Sequence, residues 1–219
     1  MSTIIDTSEV LPALTVNALS TTIVEKDAGS PPGPVVVHAG AINAGVLSTL
    51  VIQHATVDAS GVNLALGSTV DVNAGGHLNI GGLAEVDVLS AINIDKNGTV
   101  QLGNELTLGA LSTLNFIGTD ATLQLKPGAE AGALSATASG EISGFGSASG
   151  QKIDFLKLAG VTHAVWTENL IQALAGNGQV NLLNAQNQVV GGVVLHGSYA
   201  TQDFAVASDG HGGTNLTFV

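Results

Sequence analysis

The chain has 219 residues, of which 45% are hydrophobic and only 3% aromatic, and its formal net charge is −12. It has no arginine, and its five lysines face 17 acidic residues, so charge excludes a nucleic-acid-binding protein or one attracted to anionic membranes. Without cysteine there are no disulfides or thiolate metal sites, while positive mean hydropathy and 10% charged residues are typical of a folded chain.

Small aliphatic side chains and 29 glycines predict a thin core, because a wide core usually needs aromatic rings to fill it. No apolar run reaches the roughly 18 residues of a membrane-spanning helix. The N-terminus lacks the basic and apolar segments of a signal peptide. We therefore expect an elongated protein that either stays in the cell or leaves it without a cleaved N-terminal signal.

Residues 1–34 differ from the rest of the chain. Residues 31–34 hold three prolines, a composition that cannot lie in a central strand. We predict an extended N-terminal arm that ends in this Pro-rich linker. Its apolar, β-prone residues are the candidates for assembly contacts: Ile4, Ile5, Leu14, Val16, Ile23 and Val24.

Over residues 35–150 a short unit recurs, in which two apolar residues flank a polar one and Gly, Asn, Asp or Ser follows. This alternation predicts short strands with one buried face, and the glycine-rich corners predict an all-β fold, a parallel β-solenoid with coils about 4.8 Å apart. With three faces, a coil takes roughly 22 residues, which gives about five coils. The apolar pairs are Val62/Leu64, Val70/Val72, Leu78/Ile80, Val86/Val88, Ile92/Ile94, Val100/Leu102, Leu106/Leu108, Leu114/Phe116 and Leu123/Leu125.

Residues 151–219 lack the short repeated unit, and their sequence pattern predicts a β-rich C-terminal cap on the solenoid. One short helix is predicted over residues 167–174, with Thr167 as its N-cap. Two hairpins follow, over residues 180–195 and 204–218. Such a cap would protect the edge of the last coil from uncontrolled strand pairing.

Five segments of the C-terminal third occur in a recognisable order: Ile142-Ser143-Gly144-Phe145-Gly146, Ile153-Asp154-Phe155, Leu195-His196-Gly197-Ser198-Tyr199, Asp203-Phe204-Ala205-Val206 and Asp209-Gly210-His211-Gly212-Gly213-Thr214. With them, residues 141–219 resemble the C-terminal module of alphaproteobacterial type I-secreted surface and adhesin-like proteins. The resemblance implies an extracellular or cell-surface location and export through an uncleaved C-terminal signal, for which residues 216–219 are the candidate. Members of that family are usually far longer, which favours a repeating subunit here.

The sequence predicts no catalytic residue and therefore a non-enzymatic protein. Solenoid-shaped polysaccharide lyases and hydrolases need a strong base, or two or three carboxylates across a cleft. Here arginine is absent, and the one close acidic pair in the coils is Glu85 and Asp87 on an outer face. The six histidines are scattered without metal-ligand spacing.

Calcium is the one cofactor that the sequence leaves open, and no other is predicted. Type I-secreted proteins often bind calcium in repeats rich in Gly and Asp, and residues 75–82 have the glycines but lack the aspartates. Asp203 and Asp209 are the remaining candidate ligands.

Three functions remain open. The first is an extracellular structural protein that forms a homopolymer, a filament or surface matrix, by donating its N-terminal strands to the next copy or by stacking coils end to end. The second is an adhesin or carbohydrate-binding module whose partner is extracellular polysaccharide or a cell surface. The third is a polysaccharide lyase or hydrolase. We expect the first, because a short solenoid with an open edge follows a β-prone arm.

Overall fold

The structure is a computed structural model that describes residues 2–26, 34–127, 141–168, 174 and 176–219. Within these ranges it is almost entirely β-structure, and most strands belong to three parallel sheets wound around one narrow core. The predicted all-β fold, a parallel β-solenoid, is confirmed.

Successive strands from β1 to β17 go to three faces in turn, here called A, B and C. Face A contains β1 (Ser2–Ile5), β4 (Thr21–Glu25), β7 (Thr49–Gln53), β10 (Thr69–Asn73), β13 (Ala91–Ile94), β16 (Thr113–Phe116) and β18 (Glu141–Ser143). Face B contains β2 (Glu9–Leu11), β5 (Val35–Ala39), β8 (Ala55–Ala59), β11 (His77–Ile80), β14 (Thr99–Leu102), β17 (Thr122–Leu125) and β19 (Lys152–Phe155). Face C contains β3 (Leu14–Val16), β6 (Ile42–Ala44), β9 (Val62–Leu64), β12 (Ala84–Val86) and β15 (Leu106–Leu108).

The length of a coil can be read from residues that hydrogen-bond across neighbouring strands. Asp71, Asn93 and Asn115 are bonded in series, and each is 22 residues from the next. The predicted coil length is therefore confirmed in the middle of the solenoid. It is not uniform, since Glu25 and Gln53 are bonded neighbours 28 residues apart.

The core is filled by the inward residues of these strands, which are mostly Val, Leu, Ile and Ala. Both members of each predicted apolar pair are buried except in one case. Ala84 and Val86 are the inward pair of β12, whereas Val88 is 36% exposed in the next corner. The prediction for Val86/Val88 was wrong because an apolar residue lies two positions to either side of Val86, so alternation alone fits both registers.

The prediction of a separate arm over residues 1–34 is wrong for the part that the structure describes. β1 pairs in parallel with β4, β4 with β7, and β3 with β6, as in the later coils. The solenoid thus begins at Ser2 rather than at Val35. Prolines exclude a central strand, but they do not prevent the strands on either side from joining neighbouring coils. The Pro-rich linker itself, residues 27–33, lies outside the described residues.

At the other end the solenoid passes the predicted boundary at Gly150, because β19 pairs in parallel with β17. β24 (Thr214–Phe218) then pairs with β19 in the antiparallel direction, and β23 (Phe204–Ser208) pairs with β24. The second predicted hairpin is confirmed, and it extends sheet B beyond the last coil.

A three-stranded antiparallel sheet completes the cap, formed by β20 (Val161–Thr167), β21 (Asn177–Asn184) and β22 (Val189–His196). β21 and β22 are the first predicted hairpin, which is also confirmed. Of the predicted helix, Thr167 is the last residue of β20, and residues 169–173 lie outside the described part.

Aromatic rings cover the C-terminal end of the core. Phe116, the last residue of β16 on face A, contacts Phe145, with ring centroids 5.2 Å apart, and Phe145 stacks on Phe204 at 6.4 Å. Tyr199 packs on Phe204 and Trp166, and its hydroxyl donates to the Phe145 carbonyl oxygen at 2.8 Å. The solenoid core is therefore closed at this end by side chains larger than those inside the coils.

Candidate functional site

The N-terminal coil presents an open edge. β1, β2 and β3 are each the terminal strand of their sheet, so among the described residues each has a hydrogen-bonded neighbour on one side only. Ile4 on β1 and Val10 on β2 are 57% and 79% exposed. The unpaired N–H and C=O groups of such an edge are a template for a strand of another molecule.

The predicted assembly residues divide between core and surface. Three of them are buried in the core of their own chain: Leu14, Val16 and Val24. Ile5 and Ile23 are half-buried, and Ile4 is exposed. Donating this segment to another molecule would require the first coil to open. The prediction of a free donor arm is therefore replaced by an exposed strand edge, which the folded segment itself forms.

Asp203 and Asp209, the calcium candidates, each stabilise a turn. Asp203 Oδ2 accepts a hydrogen bond from the Ala200 N–H at 2.7 Å. Asp209 Oδ1 accepts from the N–H groups of His211 and Gly213, each at 2.7 Å, and these bonds hold the pKa of Asp209 below its ordinary value. Within the described ranges, no three His, Asp or Glu side chains gather into a group that could hold a metal.

On faces A and B, several outward polar side chains bond to one another. Asn93 Nδ2 donates to Asp71 Oδ1 at 2.7 Å, and Asn115 Nδ2 donates to Asn93 Oδ1 at 2.8 Å. On face B, Asn79 Nδ2 donates to Asp58 Oδ1 at 2.6 Å. These groups are occupied within the protein and are less available to a ligand.

Face C differs, because its outward side chains are exposed and make no hydrogen bond with any described residue. Shallow depressions of about 280 and 270 Å³ lie along them. The strands are in register, so these side chains form one line along the solenoid. We call this line the polar floor: Thr15, Asn43, Asn63, Glu85 and Thr107.

The acidic pair predicted on an outer face is split by the end of β12. Glu85 belongs to the polar floor, whereas Asp87 lies in the corner, where its Oδ1 accepts from the Val88 N–H at 2.7 Å. The two carboxylates therefore have different surroundings, one open and one engaged with the backbone.

A repeated corner follows each strand of face C. Its third residue has a positive φ of 54–66°, and this residue is leucine in four corners and Gly67 in the other. The leucine side chains are 58–73% exposed. They form, with Leu66, an apolar line beside the polar floor, which we call the leucine ridge: Leu19, Leu47, Leu66, Leu89 and Leu111.

The fourth residue of these corners is a serine that is buried in all but the first. Ser48, Ser68 and Ser112 each donate from Oγ to the carbonyl oxygen three residues earlier, at 2.6–2.7 Å. Ser90 Oγ donates instead to the Ala65 carbonyl in the preceding coil at 2.7 Å. These hydroxyls complete the corners and hold the ridge residues at the surface.

Reasoning from the sequence missed both the polar floor and the leucine ridge. The available signal was a dipeptide: Leu-Ser at residues 19–20, 47–48, 89–90 and 111–112, with Gly-Ser at 67–68. A search for strands passes over it, because the dipeptide marks the corner rather than the alternating segment.

The fold and these surfaces define the class of the protein: a short, three-faced parallel β-solenoid with an antiparallel cap. Comparison with known proteins finds no matching family model, no similar curated protein and no similar solved structure. Among the described residues, no helix is long and apolar enough to cross a membrane.

Proposed function

We propose that the protein is an extracellular structural protein that assembles end to end into a filament or surface matrix. The observation that carries the proposal is the open edge formed by β1, β2 and β3. At the opposite end, face B finishes in β23, which among the described residues is hydrogen-bonded only to β24 and has β20 packed close by; its last two residues, Ala207 and Ser208, are exposed. Pairing β2 of one copy with β23 of the next would continue this sheet through the assembly.

Energetics and symmetry favour such a contact. Pairing at this edge would give Ile4 and Val10, which point outward on faces A and B, a cross-strand neighbour and would remove part of their apolar surface from water. A contact between two different edges does not close on itself, so it propagates as a fibre. Export is supported by the resemblance of residues 141–219 to the C-terminal module of secreted surface proteins.

The test is electron microscopy and sedimentation of the purified chain beside an edge variant. Val10→Lys places a charge on the open edge while its side chain stays outside the core, so we expect filaments of the parent chain to be lost. Ile117→Lys is the matched control, because Ile117 is 52% exposed in a corner away from that edge. Monomers alone for the parent chain, or equal polymer from Val10→Lys, would contradict the proposal.

A further inference from the structure

The backbone conformation and the exposure of the leucine ridge are both unfavourable for the stability of the chain by itself. A non-glycine residue in the left-handed region is strained, and a leucine that is more than half exposed gains only part of its burial free energy, even where, as at Leu47, its side chain lies over Gly67 of the next coil. Gly67 occupies the equivalent corner, so the backbone accepts glycine there. Leu19, Leu47 and Leu89 nevertheless combine positive φ with at least 58% exposure. Strain retained at exposed, regularly spaced positions points to a contact that these side chains make with something else.

The ridge borders the one face whose outward polar groups have no partner among the described residues. Asn43 and Asn63 line the same depression as Ala18 and Gly45, which belong to the corners of the ridge. The groove therefore has a floor of amides, hydroxyls and the Glu85 carboxylate. The ridge leucines line neither depression; they stand in the adjoining corners as an aliphatic wall, and both floor and wall recur along the coils. A matching ligand must be extended, periodic, rich in hydroxyl or amide groups, and apolar on one side.

We propose that this groove binds a linear, neutral polysaccharide lying along the solenoid axis. A pyranose ring carries hydroxyls at its rim and C–H groups on its faces, which match the floor and the wall. One sugar unit of an extended chain is close in length to the coil spacing of about 4.8 Å. Contacts repeated over several coils would add up, so binding should increase with oligosaccharide length.

Other occupants fit less well. The net charge of −12 and Glu85 in the floor repel a polyanionic chain. A peptide strand is recognised by the edge of a sheet, whereas face C is the surface of one. This proposal concerns a different surface from the open coil edge and does not depend on polymer formation.

Calorimetric titration of the full chain tests the inference, with the hexasaccharides of cellulose, xylan, mannan and chitin as probes. We expect at least one to bind, and its disaccharide to bind much more weakly. The double variant Asn43→Ala/Asn63→Ala should weaken binding about tenfold, because two exposed hydrogen-bonding groups are lost. Gln101→Ala, an outward residue of face B, is the matched control and should bind as the parent does.

A second variant tests whether the ridge leucines serve sugar binding rather than the stability of the fold. Leu89→Gly removes strain and exposed apolar area, so its melting temperature should not fall, but its affinity for the sugar should. The inference is overturned if no hexasaccharide binds, if a galacturonate hexamer binds more tightly than the neutral probes, or if both variants bind normally. A change in sedimentation of Leu89→Gly with unchanged sugar binding would assign the ridge to contacts between copies and would also overturn it.

Discussion

A carboxylate on the outside of face B illustrates how a single residue can respond to pH. Asp154 is only 7% exposed, and burial raises its pKa above the ordinary value. Gln124 Nε2 donates to Asp154 Oδ2 at 3.1 Å, while Asp154 Oδ1 has no hydrogen-bond partner among the described residues. The same holds for Oδ1 of Asn215, the cross-strand neighbour of Asp154. A protonated Asp154 could donate to that amide oxygen.

The raised pKa means that the folded state binds a proton at Asp154 more tightly than the unfolded state. The resulting stability is present below the unfolded pKa of 3.8 and is lost as the pH rises through the folded pKa. We expect Asp154→Asn to raise the melting temperature at pH 7 by about 2–4 °C, since an amide can donate to Asn215 without a charge. The gain should shrink as the pH approaches 3.8.

Thermal melts from pH 3 to pH 8 would measure this effect as a difference between parent and variant. The parent chain alone would give a mixed pH profile, because Asp209 has a lowered pKa and contributes stability that is present above pH 3.8 and lost on acidification. Subtracting the variant from the parent cancels the contribution of Asp209 and leaves that of Asp154. Asp58→Asn, at a more exposed position of the same face, should not raise the melting temperature. A lower melting temperature of Asp154→Asn at pH 7 would mean that the ionised form stabilises the fold.

At the scale of an element, the corner after face C depends on its buried serine. Ser90 is 1% exposed; its Oγ donates to the Ala65 carbonyl at 2.7 Å and accepts from the Ser68 N–H at 3.2 Å. Ser90→Ala removes both bonds, while the Ala65 carbonyl and the Ser68 N–H keep their hydrogen bond to each other at 3.0 Å, so the free energy of unfolding should fall by about 0.5–1.5 kcal/mol.

Urea unfolding would measure that loss. Ser20→Ala is the control, because Ser20 occupies the same corner position in the first coil but bonds only within its own corner, to the Asn17 carbonyl, where water can replace it. Its loss should be clearly smaller. Equal losses for the two variants would show that burial does not set the strength of the corner.

For the whole molecule, the two ends are unlike, and the assembly proposal requires each end to bind the other. The open N-terminal edge can be blocked by Val10→Lys, and the β23 edge by Ala207→Lys, since Ala207 is exposed. Each variant alone should stay monomeric. A mixture should form a dimer that cannot grow, because each variant keeps one free edge.

Analytical ultracentrifugation of the two variants, separately and mixed, would distinguish this arrangement from a symmetric one. If two N-terminal edges pair with each other, Ala207→Lys alone forms dimers and mixing adds nothing. That result would contradict the head-to-tail assembly while leaving the solenoid fold unaffected.

Much of the fold followed from the sequence alone. Alternation identified the inward residues of β9, β10, β13 and β14, because the period of two is a local property of an extended chain. The spacing of these segments also predicted the 22-residue coil, since parallel stacking requires equivalent residues to recur once per turn. The first argument uses near neighbours in the chain, and the second uses only the spacing of repeated segments along it.

The start of the solenoid, the position of Val88 and the functional surfaces were decided by the tertiary structure. β1 to β3 form the first coil and β4 begins the second, because each coil offers the next one partners in register, which no local pattern reveals. Likewise Asn63 and Asn93 have similar local sequences, yet Asn93 is bonded to neighbouring coils and Asn63 is exposed. Which polar groups are satisfied and which remain free depends on the residues that stacking brings alongside, and those lie about one coil away along the chain.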